Sequence, residues 1–83
     1  MIFNYYEDKI FNIINNIEII KGADLILKIM GVIGPGNFKD TKYTDAIQNL
    51  IDKKIISFMG LTSPDKHTTV IYFRYGTTID FRN

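Results

Sequence analysis

The residues of this chain that could do chemistry are few and lie far apart. Among 83 residues there is one histidine, His67, and no cysteine. A metal centre needs several nitrogen, sulfur or carboxylate ligands at recurring spacing, and neither HxxxH nor HxxE occurs. Nucleophilic catalysis needs a hydroxyl or thiol, a base, and a third group to orient that base. Ser63 and Thr68 stand near His67 in one turn-forming segment, but no orienting partner accompanies them. His67 therefore reads as a solvated turn residue, with a nucleic-acid contact as its functional alternative. No catalytic residue, metal ligand or cofactor is assigned, and the chain is not expected to be an enzyme.

The other chemical candidate is the run GVIGPGNFKD over 31–40. Glycine amides ahead of a helix N-terminus can hold an anion. The run matches neither the P-loop, because no Gly-Lys-Ser/Thr follows, nor the dinucleotide fingerprint, because no parallel-sheet unit surrounds it. It reads as a connecting loop, with contact to DNA phosphate as the alternative. Phe38 within it is expected to plug the core.

These residues must be positioned by a small set of elements. In FNYYEDKIFNIINNI, Tyr6, Ile10, Ile13, Ile14 and Ile17 share one face, so a first amphipathic helix is expected over 4–17. Asn4 can cap it, with Glu7 three residues on reaching back. The next segment is apolar on more than one side, and two readings stay open. Either a helix begins near Glu18 and stops at Gly22, or the helix occupies 23–30 with Asp24 in its first turn and Lys28 as its surface partner; the bounds are set at about 19–30. The breaker-rich loop over 31–40 follows, and then Asp40 or Thr41 supplies a side-chain oxygen to start a third helix over 41–53. Tyr43, Ala46, Ile47, Leu50 and Ile51 form its apolar stripe.

From Ile55 the period changes. IISFMGL and TTVIYFRY are β-branched and aromatic, and Thr62-Ser63-Pro64-Asp65-Lys66-His67 between them is a turn, which predicts a hairpin with strands over 55–61 and 68–75. If Ile71 and Phe73 face the core, Tyr72 and Arg74 face outward as an aromatic and basic pair; Tyr72 otherwise covers sheet surface. Three helices followed by a hairpin give an α+β fold of the winged-helix type over 1–83, as one domain.

Composition limits the partners. Ten Lys and Arg against nine Asp and Glu leave a formal charge of +1. Counterion-driven binding to nucleic acid needs several phosphates neutralised together, so a strong nonspecific binder is not expected. Aspartates accompany the lysines: Asp40 lies between Lys39 and Lys42, Asp52 precedes Lys53 and Lys54, and Asp65 precedes Lys66. No run reaches the roughly 18 apolar residues of a membrane span, and the opening lacks a secretory pattern, so a soluble intracellular protein is expected.

Three features together resemble the RQC domain that follows the motor of RecQ-type DNA helicases. They are the Lys21-Gly22-Ala23 step before an apolar run, the Gly34-Pro35-Gly36 connection before the third helix, and AIQNLIDKKIISF followed by a hairpin that closes on Tyr72-Phe73-Arg74-Tyr75-Gly76. They cover roughly residues 5–76. The resemblance implies binding of duplex DNA or a duplex/single-strand junction through backbone phosphates. Carried over by position, Lys21 and Gly22 would contact phosphate, Lys39, Thr41 and Lys42 would do so at the helix start, and Lys66 and His67 would occupy the wing tip; Arg74, from the outward pair with Tyr72 on the second wing strand, is a further candidate contact. Ala23 stands where that family carries serine, and no large aromatic residue occupies the wing tip. The expected function is a non-catalytic DNA-binding module. The alternatives are a winged-helix module that docks a protein such as a helicase, using 43–52 or the wing, and a small sequence-specific regulator. No membrane partner is expected, and the oligomeric state is left open.

Overall fold

A computed structural model describes residues 2–78. Helix α1, Tyr5–Ile17, begins through a reciprocal cap: the Asn4 side chain accepts the Glu7 N–H at 2.8 Å, and the Glu7 carboxylate accepts the Asn4 N–H at 3.1 Å. Two amides that a helix start leaves free are thereby satisfied. Glu18 follows with φ 77 and ψ −58, and the chain turns into strand β1, Ile19–Lys21.

The helix expected over 19–30 is thus corrected at both ends. Residues 19–21 are extended because they pair with β3, Thr68–Arg74, in the register Ile19 with Phe73, Ile20 with Tyr72 and Lys21 with Ile71. Helix α2 then runs Gly22–Ile33, through Gly31. An interior glycine costs a helix only about 1 kcal/mol relative to alanine. Burial of Leu25 and Ile29, with Ile33 packed against the core, outweighs that cost. The loop expected over 31–40 shrinks to 34–39, beginning at Gly34, whose φ of 100 suits glycine.

Helix α3, Asp40–Asp52, is capped by Lys39 without a side-chain bond, so neither Asp40 nor Thr41 provides the cap oxygen. Strand β2, Ile56–Thr62, and β3 form the hairpin, and the sheet order is β1-β3-β2 with both pairings antiparallel. Among the described residues the architecture is α+β, with three helices and a three-stranded antiparallel sheet, a layout compatible with the winged-helix expectation.

The core cluster takes buried side chains from every element except β3. It contains Ile10 and Ile14 of α1, Ile20 of β1, Leu25 and Ile29 of α2, Tyr43, Ala46, Ile47 and Leu50 of α3, and Ile56 of β2. Phe38 packs against it as expected, its ring 5.6 Å from that of Tyr43. Tyr72, opposite Ile20, also packs against this core and is not an outward aromatic. Ile71 and Phe73 alternate to the other side, where they are buried but lie outside the core cluster. The register places Phe73 between Ile19 and Ser57, and Ile71 between Lys21 and Met59. The inner row is therefore set by β1.

Candidate functional site

The residues assigned to phosphate contact fall into three places. The first is the start of α3, where the Tyr6 hydroxyl accepts the Lys39 N–H at 2.9 Å and donates to the Asn37 carbonyl at 3.2 Å. One tyrosine of α1 thus holds the backbone that leads into α3. The first helical bond runs from the Tyr43 N–H to the Lys39 carbonyl, at 3.0 Å. The N–H groups of Asp40, Thr41 and Lys42 precede it and find no acceptor among the described residues, as at any helix start that lacks a side-chain cap. Lys39, Thr41 and Lys42 are all exposed there, and Asp40 shares their turn.

The second place is the start of α2. Lys21 is its N-cap, again without a side-chain bond, and Asp24 lies in its first turn. Pairing of β1 with β3 brings this end against the wing, so that Lys21, Gly22, Ala23, Thr68, Thr69 and Val70 line an open hollow of about 310 Å³. A Cβ on Gly22 would lie 3.4 Å from Tyr72 Cε2 and 3.6 Å from the Val70 carbonyl oxygen, both ordinary contacts. Gly22 is therefore compatible with close packing but not demanded by it.

The wing tip is the third. Lys66 takes φ 68, its N–H bonds the Ser63 carbonyl at 2.9 Å, and the Ser63 N–H bonds the His67 carbonyl at 2.9 Å. The Ser63 hydroxyl donates to the Asp65 carboxylate, and that bond holds the Asp65 carboxyl below its usual range. His67 Nε2 lies 3.8 Å from the same carboxylate. The tip is exposed, and Asp65 offsets the charge that Lys66 carries into it.

Arg74 belongs to none of these groups. It pairs with Ile56 at the far end of the hairpin and donates from Nη1 to Asn15 Oδ1 of α1 at 3.3 Å. At about 3.4 Å per residue it stands roughly 20 Å along β3 from the wing tip. It is exposed there, apart from the wing-tip residues. No hydrogen bond or common hollow joins the α3 start to the α2 start among the described residues, whereas the α2 start and the tip-proximal end of β3 are brought together.

Two residues have structural consequences for the site that the sequence discloses only in part. Glu7 is buried, and besides its capping bonds it accepts from Asn49 Nδ2 at 3.2 Å and lies 3.7 Å from Lys53 Nζ, tying α1 to α3. The Asn4-x-x-Glu7 spacing discloses the cap but not these lateral partners. Tyr6 reads in the sequence only as part of an apolar stripe. Burial pushes the Tyr43 and Tyr72 phenols up, the Tyr72 charge adding to the effect on Tyr43, so both stay neutral at physiological pH.

Among the described residues no cluster of histidine and acidic side chains could hold a metal ion, and no helix is long and apolar enough to cross a membrane. Comparison with protein-family models, curated proteins and solved structures gives no match.

Proposed function

We propose that the chain is a non-catalytic winged-helix module, of the kind the RQC domain exemplifies, that binds duplex or junction DNA through its phosphates. The observation that carries this reading is the pair of helix starts at Lys21 and Lys39. Each leaves backbone N–H groups without a side-chain cap and sets an exposed lysine beside them. Free amides at a helix N-terminus favour an anion, and a phosphate oxygen fits that geometry. At the first start, the Thr68 and Thr69 residues of the wing supply further hydroxyl donors within the same hollow. The element order, with β1 between the first two helices and β3 central in the sheet, also accords with a winged helix.

An acid accompanies every basic group of this surface: Asp24 by Lys21, Asp40 by Lys39 and Lys42, and Asp65 by Lys66 and His67. Binding should therefore depend on backbone amides more than on net charge, with a shallow salt slope of about −2 to −4 in log K against log salt. Affinity for forked and blunt duplexes, measured across a salt series, tests the proposal. Binding weaker than about 100 μM at low salt, below ordinary nonspecific affinity, overturns it.

One observation favours protein docking instead. Ile17, Ile19, Leu27 and Val32 are all exposed where α1, β1 and α2 meet. This patch, rather than the 43–52 surface, is where an apolar partner would sit. A complex that survives high salt and is lost on Leu27→Lys would support that second reading.

A further inference from the structure

Strand β2 is an outer strand of the sheet, and among the described residues its free edge has no strand partner. Proteins usually protect such an edge with charge, proline or a bulge. The sequence ISFMGLT carries none of these protections, and Phe58, Met59 and Leu61 are exposed along it. Its glycine is also unexplained by the monomer. Gly60 has no left-handed φ, and a Cβ there would meet only Thr68 Cγ2, at an ordinary 3.6 Å. Glycine weakens a strand interior, and its presence there often marks the close approach of another backbone or ligand.

The ladder shows which groups are free. Tyr75 N–H bonds the Ile55 carbonyl at 3.0 Å, and Ser63 N–H bonds the His67 carbonyl at 2.9 Å. With the alternation of an antiparallel pair, residues 57, 59 and 61 direct their backbone groups to β3, while 56, 58, 60 and 62 direct theirs to the open edge. We propose that this edge pairs with β2 of a second copy of the chain, antiparallel and centred on Met59. This register follows from full overlap of the two strands, which sets 56 opposite 62 and 58 opposite 60. It also brings only outward-directed backbone groups face to face. It lays each Phe58 ring over Gly60 of the other copy, where the absent side chain leaves room and Val70, the cross-strand neighbour of Gly60 and itself exposed, provides an apolar floor. An uncharged strand on a chain of net charge +1 opposes this self-pairing with little repulsion. The symmetric dimer then carries one continuous sheet across both copies.

Sedimentation equilibrium and amide exchange on the full chain test the proposal. The expected result is a monomer–dimer equilibrium with a dissociation constant of about 10–100 μM, as for a small interface. Exchange at the Phe58 and Gly60 amides should slow as concentration rises, while Met59 and Leu61 remain protected at every concentration. Gly60→Thr should be monomeric with an unchanged or higher melting temperature, since threonine suits a strand. A wild-type chain that is monomeric at about 1 mM overturns the proposal, and a strand from a different protein then becomes the candidate occupant. A dimer that persists in Gly60→Thr, or that leaves Phe58 and Gly60 exchange unchanged, overturns it equally.

Discussion

Tyr6 holds two backbone groups 31 and 33 positions away in sequence, through a single hydroxyl. Tyr6→Phe leaves the Lys39 N–H and the Asn37 carbonyl without that partner, and is expected to cost about 1–2 kcal/mol in denaturant unfolding. Because Lys39 is also the cap of α3, the same variant should weaken DNA binding, whereas loss of stability with unchanged binding would separate the clamp from the site. Glu7→Ala should cost a similar amount, about 1–2 kcal/mol, because it removes the reciprocal half of the cap and the bonds to Asn49 and Lys53, while the Asn4 side-chain cap remains and the exposed Asn49 and Lys53 can turn to water. Tyr43 gives a pH signature. Its folded pKa lies above the unfolded value of about 10, so the folded state keeps a proton that the unfolded state releases, and stability falls as pH rises above about 10. Melting temperatures from pH 8 to 11.5 should fall less steeply in Tyr43→Phe than in the parent. At the proposed surface, Lys42→Glu and Lys66→Glu should each weaken DNA affinity about tenfold and reduce the salt slope by about 1. Unchanged affinity in both would assign these lysines another purpose.

At the scale of elements, legibility followed the distance over which each decision is made. The start of α1 is written within four residues, Asn4 to Glu7, and reads directly. The α3 stripe reads equally well, since Tyr43, Ala46, Ile47 and Leu50 carry both the helical period and the burial. Strand β1 did not read at all. Three residues are too few to show a period, and their extended state is imposed by Ile71, Tyr72 and Phe73 from the far end of the chain. The same hidden pairing explains Tyr72: Ile71 and Phe73 are buried as the alternation predicts, but Ile20 opposite Tyr72 brings that ring against the core as well. The local sequence points to a side-chain oxygen as the α3 cap, whereas the Tyr6 hydroxyl of α1 holds the Lys39 amide and no side chain caps the helix. Of the site residues, Lys21, Lys39, Thr41, Lys42, Lys66 and His67 are exposed and Gly22 is half-buried, while Arg74 bonds Asn15, a pairing that no motif encodes. A further element-scale prediction concerns Glu18, whose φ of 77 is strained for a side chain. Glu18→Gly should raise stability by about 0.5–1 kcal/mol if the turn into β1 stores that strain, and a lower melting temperature would show that the glutamate contributes elsewhere.

For the whole molecule, the sheet order β1-β3-β2 has a temporal consequence. The central strand is the last described element to leave the ribosome, so β1 waits for a partner through the synthesis of both later helices and the whole of β2. During that interval β2 has two open edges instead of one. The helices can gather around Ile10, Leu25 and Leu50 beforehand, but the inner row of Ile20 and Tyr72 closes only when 68–74 arrives. Chains truncated after residue 66 should therefore retain helical circular dichroism, lack strand-protected amides at 19–21, and associate through β2 more readily than the full chain does. The order in which the strands are made, rather than their final stability, sets when this molecule is most exposed to its own copies.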